Sequence, residues 1–251
     1  MSLALAAQPF PSSKILGLRV HAVTYDEVVG QVRGWVKAGE GRAIGVANVH
    51  VTMEAYDDPA LQASLNDFDL VVPDGMPLVW VLRRRGFPLP DRVYGPELTL
   101  RLCALAEEDG FPVGFLGGTP EVLEALVERL KARFPTLRVG FSHSPPFSQG
   151  ALPHDPEMLR AIVESGVGIL FVGLGCPKQE RWVARHRKEL PAVLLGVGAA
   201  FDFHAGRVSQ APGWMQRAGL EWSYRLAREP RRLWRRYLVQ NPRFLWKLLT
   251  G

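Results

Sequence analysis

The feature that most constrains this chain is alternation. Between about residues 13 and 210, short β-rich apolar runs take turns with helical patterns. Strand-like runs lie at 42–48, 68–72, 112–116, 137–141, 167–173 and 192–196. Helical patterns fill 50–66, 76–84, 95–108, 120–134, 156–165 and 178–186. In 50–66, Val51, Ala55, Leu61 and Leu65 share a face, with a break at Asp58-Pro59; in 95–108, Leu98, Leu102 and Leu105 keep step. Strands separated by helices cannot pair through tight hairpins, so they pair in parallel and need cover on both faces. The expected fold class is α/β: a Rossmann-like, mainly parallel sheet covered by helices. An apolar content of 47% supports a core of that size. Residues 144–153 read as a Pro/Gly/Ser-rich loop.

The last forty residues follow another rule. A helix is expected over 220–228, a new one over 231–239 behind Pro230, and a short final one with Asn241 as N-cap and Pro242 at its first position. No strand follows. The expected division is an α/β catalytic domain over 1–212 and a C-terminal helical appendage over 213–251.

Charge is concentrated in that appendage. Residues 217–251 carry eight arginines and Lys247 against Glu221 and Glu229, while the whole chain is only +5. A polyanionic partner is therefore to be sought at the tail. Arg225, Arg228, Arg232 and Arg235 recur at helical spacing, with Trp222, Leu226, Leu233 and Tyr237 on another face and Trp234, Phe244 and Trp246 nearby. Arginine with tryptophan on an amphipathic helix suits an anionic membrane surface. Nucleic-acid binding would account for the tail but not for the polar residues at strand ends, so no nucleic acid is expected as partner. The apolar tail faces also allow a homo-oligomer.

The first ten residues have no basic segment and only a short apolar run, unlike a signal peptide. No stretch approaches the ~18 apolar residues of a spanning helix. The expectation is a cytoplasmic chain, peripheral at the inner face of the cell membrane, with Cys103 and Cys176 as free thiols.

In parallel α/β sheets, ligands bind outside the carboxyl ends of the strands. Unusual residues gather there. Asn48 follows a strand and suits either a sugar or base contact or a helix N-cap; His50 is close by. Asp74, in Val72-Pro73-Asp74-Gly75, suits either a proton acceptor or an N-cap. Gly117-Gly118-Thr119-Pro120 offers amides and a helix start to a diphosphate, though a tight structural turn looks the same. Lys178 and Gln179 open a helix after Gly173-Leu174-Gly175-Cys176-Pro177 and are candidates for a nucleotide sugar; Cys176 reads as a small buried residue. Asp202 and His204 are polar groups in an apolar setting, either structural or lining the site. Asp67-Phe68-Asp69 has the spacing of a divalent-ion motif but enters a strand rather than leaving one, and reads as solvated turn. A nicotinamide-binding chain would carry a glycine fingerprint after its first strand, and 44–48 has none.

Together these segments resemble the WecG/TagA/CpsF glycosyltransferase family over roughly residues 14–240. The resemblance rests on Pro73-Asp74-Gly75, Phe115-Leu116-Gly117-Gly118, Gly173 through Glu180, Gly196-Val197-Gly198-Ala199-Ala200-Phe201-Asp202, and Gly219-Leu220-Glu221-Trp222 through Arg235-Arg236-Tyr237. It implies an inverting, metal-independent transfer, with no cofactor. The donor would be a UDP-sugar, carrying N-acetylmannosamine or a related hexose. The acceptor would be a polyprenyl-diphosphate-linked GlcNAc, in teichoic acid or cell-surface polysaccharide synthesis. It implies Asp74 as catalytic base and Asn48, Gln179, Arg225, Arg232 and Arg235 as site residues. Many members carry Thr two residues before the Asn; here Val46 stands there, one polar contact fewer.

Overall fold

The computed structural model describes residues 10–146, 150 and 152–250. The signal-peptide reading of the first residues, and part of the 144–153 loop, lie outside them.

An antiparallel hairpin comes first, β1 (Ser12–Ile15) and β2 (Leu18–His21). Six strands then build one parallel sheet: β3 (Arg42–Ala47), β4 (Leu70–Pro73), β5 (Val113–Gly117), β6 (Val139–His143), β7 (Ile169–Gly173) and β8 (Val193–Gly196). Their order across the sheet is β4-β3-β8-β7-β5-β6, and every pairing is parallel. The sequence does not flag the hairpin. It packs beside β4, where the Val71 N–H donates to His21 Nδ1 at 2.9 Å. Burial lowers the His21 pKa to about 4, so the ring is neutral and able to accept that bond.

Side chains alternate along each strand and divide the interior into two halves. Ala43, Ala47, Val71, Leu170, Val172 and Leu194 join one half; Ile44, Val46, Val72, Ile169, Phe171 and Leu195 join the other. In the second half Phe115 stacks on Phe171 with ring centres 5.4 Å apart, and Phe201 meets Phe115 edge-on at 5.7 Å. Burying one such ring contributes roughly 2–3 kcal/mol.

Helix ends follow the sequence signals in the core. Asp58 closes helix Val49–Asp57 and caps Pro59–Asn66, accepting from the Ala60 and Leu61 N–H groups. Thr119 caps Pro120–Arg133. The tail departs from its expectation. Asn241 is not an N-cap: Pro230–Trp234, a π-helical turn Arg235–Gln240 and Asn241–Thr250 follow one another without an extended residue. Pro242 has no N–H for the preceding turn, and the widened π turn accommodates that loss. Leu233, Tyr237 and Phe244 of the tail are buried, and Phe244 joins the first half of the core. No helix among the described residues is long and apolar enough to cross a membrane.

Candidate active site

Because the strands are parallel, their carboxyl ends open on one edge. Asn48 follows β3, Asp74 follows β4, Gly173–Cys176 sit at the end of β7 and Gly196–Gly198 at the end of β8. All of them border one cleft of about 860 Å³. Its opposite wall is the tail: Arg225, Arg232, Arg235, Arg236, Gln240 and Arg243. A smaller cavity of about 100 Å³ adjoins it, walled by Met76, Pro77, Arg92, Glu221, Trp222 and Tyr237. Asn48, His50, Asp74, Tyr94, Arg225 and Arg236 border both.

Asp74 is held at this junction through its backbone N–H and both carboxylate oxygens. Its N–H donates to Ala47 O at 2.8 Å, fixing it to the end of β3. Oδ1 accepts from the Gly95 N–H at 2.7 Å and Oδ2 from Asn48 Nδ2 at 3.1 Å. It is not an N-cap: helix Met76–Arg84 has Gly75 there, without a side-chain cap. Close packing raises the Asp74 pKa; Arg92, the Gly95 N–H and Asn48 pull it down, and Glu221 pushes it up. A carboxylate that is raised but still stabilised by donors can accept a proton near neutral pH.

Asn48 is the N-cap, and it also borders the cleft. Its Oδ1 caps helix Val49–Asp57, accepting from the His50 and Val51 N–H groups at 3.1 and 3.3 Å. That leaves Nδ2 free to face Asp74. Gln179 is buried, and its amide is spent within the protein. Oε1 accepts from Gly175 N–H at 3.2 Å and Gly198 N–H at 3.1 Å, and Nε2 donates to Glu180 Oε1 at 2.9 Å. It thus ties the β7 loop to the β8 loop while bordering the cleft. Cys176 lies on the wall, with its thiol pushed well up by burial and Glu180; Cys103 is pushed up to about 12 by burial. Neither cysteine is in a disulfide, and neither has thiolate character.

Gly117, Gly118 and Lys178 do not border either cavity. The glycines answer a packing demand. Both have positive φ, and a Cβ on Gly117 would stand 2.5 Å from Gly173 O. The Gly118 N–H is itself bonded to Gly173 O at 3.2 Å. Asp202 borders the cleft, its pKa raised by burial and drawn down by Arg232 and Arg225. His204 is structural, bonded through Nε2 to Pro96 O at 2.9 Å.

On the tail, Arg225 is 8% exposed, with its guanidinium 5.3 Å above the Phe203 ring. Its Nε and Nη2, like Nε of Arg236, are buried without a hydrogen-bond partner. Arg232 and Arg235 border the cleft, Arg232 pairing with Glu229 at 2.8 Å. Arg228 does not; it sits over Tyr224. Sequence reasoning passes over Arg92 and Tyr94, and quotes Glu221 and Arg236 without a site role. Nothing local distinguishes Arg92 or Tyr94; the spacing of four from Glu221 to Arg225 was the one available hint.

Asp67 and Asp69 lie at the amino edge of the sheet, away from the cleft. Asp69 pairs with Arg42 at 2.8 Å and accepts from the Ala43 N–H, and Arg187 holds Asp67. Among the described residues, the one cluster with ligand atoms close enough for a metal is His154, His186 and Glu189, within 4.8 Å of one another and remote from Asp74.

The chain resembles proteins of named activity. An N-acetylglucosaminyldiphosphoundecaprenol N-acetyl-β-D-mannosaminyltransferase of Bacillus spizizenii W23 is 34% identical over 216 residues, 86% of this chain and 81% of that protein. Its namesake in Bacillus subtilis 168 is 28% identical over 199 residues, 79% and 75% of the two chains. The model of the glycosyl transferase WecG/TagA/CpsF family matches residues 13–251. A cleft at the carboxyl edge of a parallel sheet, a base candidate at its throat and a match across nearly the whole chain agree: this is a glycosyltransferase, and it belongs to the WecG/TagA/CpsF family.

Proposed function

We propose that this chain transfers N-acetylmannosamine, or a closely related hexose, from a UDP-sugar to a polyprenyl-diphosphate-linked GlcNAc, with inversion and without a metal. The observation that carries the reading is the position of Asp74, on the border shared by a large cleft walled by arginines and a small cavity. The large cleft suits a nucleotide sugar, the small one the reacting end of the acceptor. The names of the two Bacillus relatives supply the sugar and the lipid.

In this reading, the acceptor hydroxyl gives its proton to Asp74 as its oxygen bonds to C1 of the donor sugar. The C1–O bond to the diphosphate breaks, and UDP leaves with the electron pair. Arg225 and Arg236 border the cleft with buried N–H groups that lack an acceptor, and such an anion would supply one. Arg232 and Arg235 add charge at the same wall. The tail's exposed Trp222, Trp234, Leu238 and Trp246, among basic residues, favour docking on an anionic membrane surface, where the acceptor resides. That would place the protein peripherally, at the cytoplasmic face.

A panel of radiolabelled UDP-sugars against a short-chain lipid-diphosphate-GlcNAc tests this. Label should pass to lipid with UDP-N-acetylmannosamine above UDP-GlcNAc and UDP-glucose. No transfer from any of them would sink the reading.

A further inference from the structure

The two halves of the site meet at one buried ion pair. Arg92 Nη2 lies 2.6 Å from Glu221 Oε2, and both side chains are 10% exposed. The second oxygen of Glu221 accepts from the Tyr94 hydroxyl at 2.9 Å. Arg92 also reaches Gln216 Oε1 at 3.1 Å and the Asp74 carbonyl at 3.4 Å, with its guanidinium 4.1 Å over the Tyr94 ring. One residue beyond Tyr94, the Gly95 N–H holds Asp74 Oδ1. The short segment 92–95 therefore grips the tail with two side chains and the base with its backbone.

We propose that Glu221 is a positioning residue: by docking on Arg92 and Tyr94, the tail fixes the segment that aims Asp74 and balances the Arg92 charge beside it. The proposal rests on Asp74 being the base. Burying two charges repays its solvation cost only where the geometry is good and further hydrogen bonds satisfy both groups, as Tyr94 and Gln216 do here, and the pair joins residues 129 apart in the chain. The charges around Asp74 come from few places. Arg92 favours its ionised form and Glu221 opposes it. Tyr25 and Tyr94, also close, are held un-ionised by burial. His50, Arg225 and Arg236 border the same cavities. When the tail lifts, Glu221 leaves and Arg92 remains. Asp74 is then a more acidic, weaker base, and its Gly95 support is loose. The docked tail restores both, so donor is not hydrolysed in an open site.

The test uses the full chain with Glu221→Gln, Glu221→Asp and the double variant Arg92→Met/Glu221→Gln. The Gln side chain keeps the shape and a bond to Tyr94 but loses the charge. With Glu221→Gln, kcat should fall roughly ten- to a hundredfold with donor KM within about threefold. The acid limb of its kcat–pH profile should move down by about one unit, since Arg92 is no longer balanced. Glu221→Asp should recover part of kcat, and the double variant should bring the acid limb back up. An unshifted acid limb in Glu221→Gln, with lower kcat and lower thermal stability, would make Glu221 merely structural and overturn the proposal. Hydrogen exchange over 221–240 reads the joint independently of turnover. If wild-type enzyme transfers no sugar, the functional reading fails; unchanged exchange in Arg92→Met would defeat the joint itself.

Discussion

Replacing Asp74 by Asn removes the proposed base while changing few atoms. A positioned general base contributes about 10² to 10⁴ in rate, or roughly 3–5 kcal/mol of barrier. Stability should move little, for reasons visible around the side chain. The Asn oxygen can still accept from the Gly95 N–H. Its NH₂ group would face Asn48 Nδ2, donor against donor. Asn48 cannot turn over, because its oxygen holds the His50 and Val51 N–H groups. That lost bond costs about 1–2 kcal/mol, offset by removal of a buried charge. The expected outcome is a kcat lower by 10² to 10⁴, UDP affinity within about threefold and a nearly unchanged melting temperature. The double variant Asn48→Asp/Asp74→Asn restores a donor–acceptor pair between the positions. It should regain structure but no activity, because the carboxylate now stands at the wrong residue and is occupied by helix N–H groups. The assay is transfer of radiolabel to lipid, with UDP binding by calorimetry and unfolding by circular dichroism. A single variant within tenfold of wild type, or a double variant that recovers turnover, would show that position 74 matters for structure and not for proton transfer.

Other consequences follow from the same coordinates. Arg225→Gln leaves the Phe203 face uncovered and one fewer charge in the cleft, and should weaken UDP binding by more than tenfold in calorimetry, an interaction on the order of 1.5–3 kcal/mol. Activity should survive EDTA; loss on chelation with rescue by manganese would mean that a metal takes part. His21 should give a pH-dependent stability. Its folded pKa of about 4 lies below the unfolded 6.5, so its contribution is complete above pH 6.5 and is lost as pH falls from 6.5 toward 4. The loss approaches about 3 kcal/mol, and urea unfolding of wild type against His21→Asn, whose amide oxygen can accept from Val71 without titrating, should show the difference shrinking over that window. Paired Trp234→Ser and Trp246→Ser changes remove two of the most exposed rings on the tail and should reduce binding to anionic vesicles while leaving UDP affinity unchanged.

What the sequence discloses is what local chemistry dictates. The parallel sheet follows from strand–helix alternation, and Asp74 stands out because Pro73 and Gly75 mark a strand end. Gln179 also stands out, but not its work: tying loops at 175 and 198 needs the order of β7 and β8 in the sheet. Gly117-Gly118 is ambiguous because glycine answers two demands alike, ligand approach and backbone crowding, and at Gly117 it is Gly173 that crowds the backbone. The hairpin at Ser12–His21 escapes notice because it stands outside the strand–helix alternation, its two strands joined by the tight turn at Leu16-Gly17. Asn241-Pro242 signals a helix start, yet the π turn before it keeps the helix going. Arg92 and Glu221 find each other only through the fold.

The Gln179 bridge has a dynamic consequence. One amide clamps two neighbouring loops, so the strand side of the cleft behaves as a fixed anvil. Whatever opening admits donor and releases product must then come from the helices on the other side. A hinge confined to one jaw makes turnover a matter of how often that jaw swings, and slow departure of product, rather than bond making, becomes the natural ceiling on speed.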